Sequence, residues 1–145
     1  MQENKCESKC PDACVTLLLR LAIGLVFLTA GIAKFRMGVG AFAQGVMEMF
    51  KATALPGWMV APYAYALPFL EVSLGFLLLV GLFTRYTFFF TAALTISLMW
   101  GMLLLGKGDV VAQNSIFVLL AILGLRWSNE NMLSLDCLRK KDKTQ

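Results

Sequence analysis

The chain contains no histidine. Histidine is the commonest metal-binding side chain and the usual proton carrier near neutral pH. Its absence excludes a bis-histidine haem or a copper–histidine centre built by this chain alone. No haem and no covalently held cofactor are expected. Any redox chemistry has to come from a bound organic cofactor, from cysteine, or from a partner subunit.

Charge is also scarce. Only 15% of the 145 residues are charged, against 59% hydrophobic, and the mean hydropathy is +0.72. A soluble domain of this length has no way to bury that much apolar surface, so the chain belongs in a bilayer. The net charge of +4 does not imply nucleic acid. The cations gather at segment ends and tails, as membrane topology requires.

Cysteine is limited to four residues: Cys6, Cys10 and Cys14, spaced C-x3-C-x3-C, and Cys137 in the other tail. Zinc and iron–sulfur runs favour two-residue gaps, so no metal is assigned; a redox-active thiol stays open. No strict GxxxG falls within a span, so no helix-dimer face is singled out.

Four apolar runs are present: about Val15–Ala33, Ala64–Phe83, Tyr86–Leu105 and Val110–Leu125. Lys5 and Lys9 precede the first, as in a leader peptide, but Arg20 interrupts it, and we read an uncleaved first span. At about 1.5 Å per residue each run is of the length needed for a core of roughly 30 Å. Between the first two, Val39, Phe42, Val46, Met49 and Phe50 recur at spacings of three and four. This pattern predicts an amphipathic helix lying in the interface. Pro62 is expected to break the chain before the second span, and Thr84-Arg85 to form the turn into the third. The fold expected is all-α: a four-helix up-and-down transmembrane bundle with an interfacial helix. Its parts are a Cys-containing tail (1–14), a membrane domain (15–127) and a basic tail (128–145).

Four spans put both termini on one side. That side carries eight Lys and Arg residues against four on the other, which predicts cytoplasmic termini in a bacterial or archaeal inner membrane. The partners expected are the lipid bilayer and a protein partner or second copy, not nucleic acid. On this topology the cysteines are cytoplasmic, which argues against disulfides.

The residues that draw attention are ionisable groups inside these runs. A charged residue at mid-span costs a few kcal/mol, about 2.5–3.5 for Asp, Lys or Arg, and faces a partner. Glu71 is the one acid well inside a span. Arg20 and Lys34 lie on the first span, each on the order of 10 Å from it in depth. We expect Glu71, Arg20 and Lys34 to form an internal polar site in which Glu71 accepts a proton. Gln113, Asn114 and Ser115, near Tyr63 in depth, offer groups for the carbonyls of a quinone-like ring. Ordinary interhelical hydrogen bonding explains them equally simply.

Leu19-Arg20-Leu21 with Gly24, Phe27, Gly31 and Lys34 resembles the first-helix pattern of the DoxX family. Pro68, Glu71, Gly75, Leu79, Gly81, Leu82, Thr84 and Arg85 resemble its second-helix pattern, and Leu133-Ser134-Leu135-Asp136 its closing motif. The resemblance covers roughly residues 15–139 and leaves out the cysteine tail. It implies a four-helix inner-membrane protein: a subunit of a quinone-linked oxidoreductase acting with a partner, or a factor that helps mature periplasmic redox proteins. The leading expectation is the quinone-linked subunit. The alternative is a non-catalytic scaffold or maturation factor for a redox or thiol-handling enzyme.

Overall fold

The computed structural model describes residues 9–53 and 55–127, with side chains from Cys14 onward. Cys6, Cys137, the closing motif and the basic cluster of the second tail lie outside the described residues. Every described element is a helix: α1 (Lys9–Met37), α2 (Val39–Phe50), α3 (Gly57–Val80), α4 (Thr84–Leu104) and α5 (Gly108–Trp127). Four segments are long and apolar enough to cross a membrane: Cys14–Met37 of α1, and the whole of α3, α4 and α5. Large apolar side chains such as Leu18, Phe69, Phe89, Phe90, Leu103 and Ile116 stand exposed on these helices. Lipid tails solvate such surfaces at no cost, so the spans present apolar groups both inward and outward.

Two boundaries differ from the sequence expectation. Pro62 does not end anything: α3 starts at Gly57, behind the extended Pro56 (φ −70°, ψ 135°), and runs through both Pro62 and Pro68. Proline removes one backbone bond, but membrane helices accept it where neighbouring groups compensate. Pro62 also sits early in the helix, and Pro68 is buried. The second difference is that Thr84 and Arg85 open α4 rather than form the turn. The turn is Gly81–Phe83, and it begins with Gly81 in the left-handed region (φ 75°). The amides of Gly81 and Leu82 both reach the Leu77 carbonyl, at 2.9 and 3.2 Å. This closes the end of α3 in the manner of a glycine C-cap.

α1 and α3 pack antiparallel from Arg20 against Leu79 to Phe35 against Phe69, the most extensive helix contact among the described residues. Their backbones touch because glycines line the seam. A Cβ on Gly75 would lie 2.6 Å from the Leu28 amide nitrogen and 2.9 Å from the Gly24 carbonyl oxygen. One on Gly31 would lie 2.6 Å from Val72 Cγ2. Small residues at a membrane interface allow this proximity, and van der Waals contact over it supplies the association energy. Across the bundle, the buried Phe88 ring of α4 fills the space left by Gly124 of α5. α4 also buries Thr84, Thr87, Thr91 and Thr95. Thr87 and Thr95 satisfy their hydroxyls on carbonyls of the preceding turn, as Thr95 does on Thr91 at 2.7 Å.

α2 is the amphipathic element. Ala43 is fully buried beneath it, Phe42, Val46 and Phe50 are half-buried, and Gln44, Glu48 and Lys51 face outward. It lies against α3 and α1 and closes the end of the bundle where α1 and α4 finish and α3 and α5 begin.

Candidate functional site

Glu71 sits in the middle of α3 and faces inward, 4% exposed. Lys34 comes to it from the last turn of α1. Its ammonium Nζ donates to both carboxylate oxygens, to Oε1 at 2.6 Å and more closely still to Oε2. The Lys34 side chain is 21% exposed and that of Glu71 6%, so the pair is largely withdrawn from solvent. The Phe42 ring of α2 lies 5.4 Å from the same ammonium, within the range of a cation–π contact. Three helices therefore converge on one ion pair.

Arg20 does not join it. It is 3% exposed and lies at the other end of α1. Its Nε donates to the Leu78 carbonyl at 2.9 Å and one terminal nitrogen to the Leu79 carbonyl at 3.3 Å. These carbonyls belong to the last turn of α3, where helical carbonyls lack intrahelical partners and carry partial negative charge. The guanidinium occupies the place where a side chain on Gly81 would begin. The three-residue polar site expected from the sequence is thus two sites: a Lys34–Glu71 pair, and an Arg20 clasp on the end of α3. Depth alone did not separate them, because Arg20 and Lys34 lie on the same helix fourteen positions apart.

Next to the ion pair, all five helices surround a cavity of about 540 Å³. Its walls are mostly apolar: Val26 and Phe27 from α1, Phe42 and Val46 from α2, Leu67 from α3, Leu98 and Trp100 from α4, and Phe117 from α5. The polar groups facing it are Lys34, Glu71, Tyr63, Thr95, Ser97, Gln113 and Asn114. Tyr63, Gln113 and Asn114, singled out in the sequence as a binding wall, thus line one chamber together with Lys34 and Glu71. Ser115 is turned to other partners, the Val111 carbonyl at 2.9 Å and Met99 Sδ at 3.3 Å. Sequence reasoning missed Ser97. Its Oγ lies 2.6 Å from the Tyr63 hydroxyl and donates to the Leu94 carbonyl at 2.7 Å. With the serine proton committed there, Tyr63 donates to Ser97. No sequence signal marks a serine sixteen residues before the Gln-Asn pair as their neighbour in space; only the hairpin of α4 and α5 brings them together.

Of the cysteines, Cys14 is exposed with a free thiol. Among the described residues no group of three or more His, Cys, Asp or Glu side chains is gathered to hold a metal.

Four helices long and apolar enough to cross a membrane, an amphipathic helix between the first two and an ion pair withdrawn into the bundle define a multi-pass membrane protein. The chain belongs to the MauE family: the model of the methylamine utilisation protein MauE matches residues 12–111, which is 100 of the 145 residues. No curated protein matches the chain, and no solved structure does. The family match overturns the DoxX resemblance, since the matching family is a different one. The residues that carried that resemblance are Arg20, Gly24, Gly31, Lys34, Glu71, Gly75 and Gly81. They are the ones that a tight antiparallel helix pair with internal charges requires, so they report the packing and do not distinguish membrane families that share it.

Proposed function

We propose that the chain is a non-catalytic membrane factor that anchors or matures a redox or thiol-handling enzyme. The observation that carries this reading is membership of a family described by methylamine utilisation, over a match that runs from α1 to the start of α5. The matched stretch includes the Arg20 clasp, the Lys34–Glu71 pair and the α2 cap. In this reading the bundle is the scaffold. Its Lys34–Glu71 pair and Arg20 clasp hold α1 against α3, and α2 presents the face that a partner meets. The excess of Lys and Arg on the side of the termini supports a topology with α2 on the outer side of an inner membrane, next to extracytoplasmic enzymes.

The test is co-purification from membranes in mild detergent, joined to an activity assay. A stoichiometric protein partner whose maturation fails in cells lacking this chain is the expected result. Turnover of a quinone by the purified chain together with its partner, abolished by Glu71→Gln, would overturn it in favour of a quinone-linked redox subunit.

A further inference from the structure

The cavity beside the ion pair is too large to be a packing fault. It is partly open at the surface, and its volume of about 540 Å³ lies within the roughly 300–1,000 Å³ of small-molecule sites. We propose that it binds one uncharged, membrane-soluble molecule whose head group carries carbonyl oxygens. This stands on the cavity alone and goes beyond the accessory role, so either can fail without the other.

Three observations carry it. The first is charge. Lys34 and Glu71 are the only charged side chains among the described residues of the lining, and each neutralises the other. A charged head group would enter an apolar chamber with no counter-charge to meet it, which is strongly unfavourable. The second is the polarity of the available groups. An ammonium has three N–H donors. Two of those on Lys34 point to the two oxygens of Glu71, and the third has no oxygen partner among the described residues. The amides of Gln113 and Asn114 supply both N–H donors and carbonyl acceptors on the α5 side of the same chamber. The Tyr63 proton is taken by Ser97. The third N–H of Lys34 can be met only by an acceptor, and the amides adapt to either kind of group, so the complementary ligand brings acceptor oxygens such as carbonyls to the Lys34 side. The third is access. The chamber lies within the apolar spans, and α3 and α4 touch only sparsely for neighbours joined by a three-residue turn. Toward the cavity end their contact is bridged by the Tyr63–Ser97 hydrogen bond. A molecule dissolved in the bilayer meets this seam directly, whereas one dissolved in water meets the α2 cap.

Neutral carbonyl heads in a membrane come from two sources, lipid-soluble quinones and acylglycerols, and the experiment separates them. The full chain is placed in phosphatidylcholine nanodiscs and titrated with decylubiquinone, with dioleoylglycerol, and with phosphatidylglycerol as the charged control. Binding is read by native mass spectrometry, and for the quinone also by quenching of Trp100, which lies in the cavity wall. One-to-one saturable binding of at least one neutral probe is expected, at least tenfold tighter than the charged control. The neutral probe that binds identifies the source. Val46→Phe, on the half-buried roof, fills the chamber and should weaken binding at least tenfold. Asn114→Leu removes the side-chain amide and should weaken it about fivefold, the worth of one net hydrogen bond. Absence of saturable binding by both neutral probes, preference for phosphatidylglycerol, or unchanged binding in the variants would overturn the proposal. Should Val46→Phe not fold, Asn114→Leu decides alone.

Discussion

The Lys34–Glu71 pair lends itself to a double-mutant cycle. Removing one partner of a buried ion pair costs about 3–5 kcal/mol, because the remaining charge is left without compensation. Lys34 keeps 21% of its side chain exposed, which moves the expected cost to the lower end, about 3 kcal/mol. Glu71→Leu removes the carboxylate and leaves the ammonium facing an apolar side chain. Lys34→Met preserves length and leaves the carboxylate facing Phe42 and the cavity. Replacing both, by Lys34→Met with Glu71→Leu, removes the charges together, and such exchanges are often neutral or stabilising. The double variant should fall within about 1 kcal/mol of the parent while each single variant loses about 3 kcal/mol. At roughly 3 °C per kcal/mol for a chain of this length, thermal scans in detergent should show drops of about 10 °C for the single variants and less than about 3 °C for the double one. If the double variant loses the sum of the two single losses, the side chains act independently. The ion pair is then not what joins α1 to α3 at this depth.

Other outcomes follow from the packing. Gly75→Ala should lower Tm more than Gly40→Ala, since the added methyl meets backbone at Gly75 and open space at Gly40; equal shifts in thermal scans would remove the glycine seam from the account. Gly81→Ala must take a left-handed φ and also displace the Arg20 guanidinium, so it should cost more than Gly106→Ala, which is left-handed but open. Comparison of the two melting curves checks this. Tyr63→Phe loses the bond to Ser97 and should cost about 1 kcal/mol, read by the same scans. Glu48→Gln, which breaks the exposed pair with Lys51, should leave Tm unchanged.

The four spans were legible in the sequence because length and apolarity suffice to define them. The amphipathic spacing of Val39 to Phe50 was legible for the same reason. Glu71 could be read as inward-facing, since a carboxylate has few other places to go in hydrocarbon. Its partner could not be chosen. The two cations near Glu71 in depth, Arg20 and Lys34, stand on the same helix. The structure separates them because a guanidinium is equally well met by the orphan carbonyls at the end of a helix, a partner that carries no side-chain signature. The Gly81 that closes α3 was visible, but its role in admitting Arg20 depends on the antiparallel register. The glycines of α1 and α3 form no strict GxxxG and single out no face in the sequence, because their meaning lies in the pairing of two distant segments. Pro62 misled for a related reason: helix-breaking is a rule learned in water, and α3 obeys the bilayer.

Both charges within the apolar length of α1 are satisfied by α3, Arg20 on its terminal carbonyls and Lys34 on Glu71. During synthesis, α1 therefore emerges carrying two cations with nothing to meet them. Its own insertion into lipid is penalised until residues as far as Leu79 have been made. Once α3 is present, its terminal carbonyls and Glu71 meet those cations, which lowers the cost of holding α1 in lipid. A chain truncated before α3 should leave α1 poorly inserted, whereas one ending just after Gly81 should hold it in the membrane.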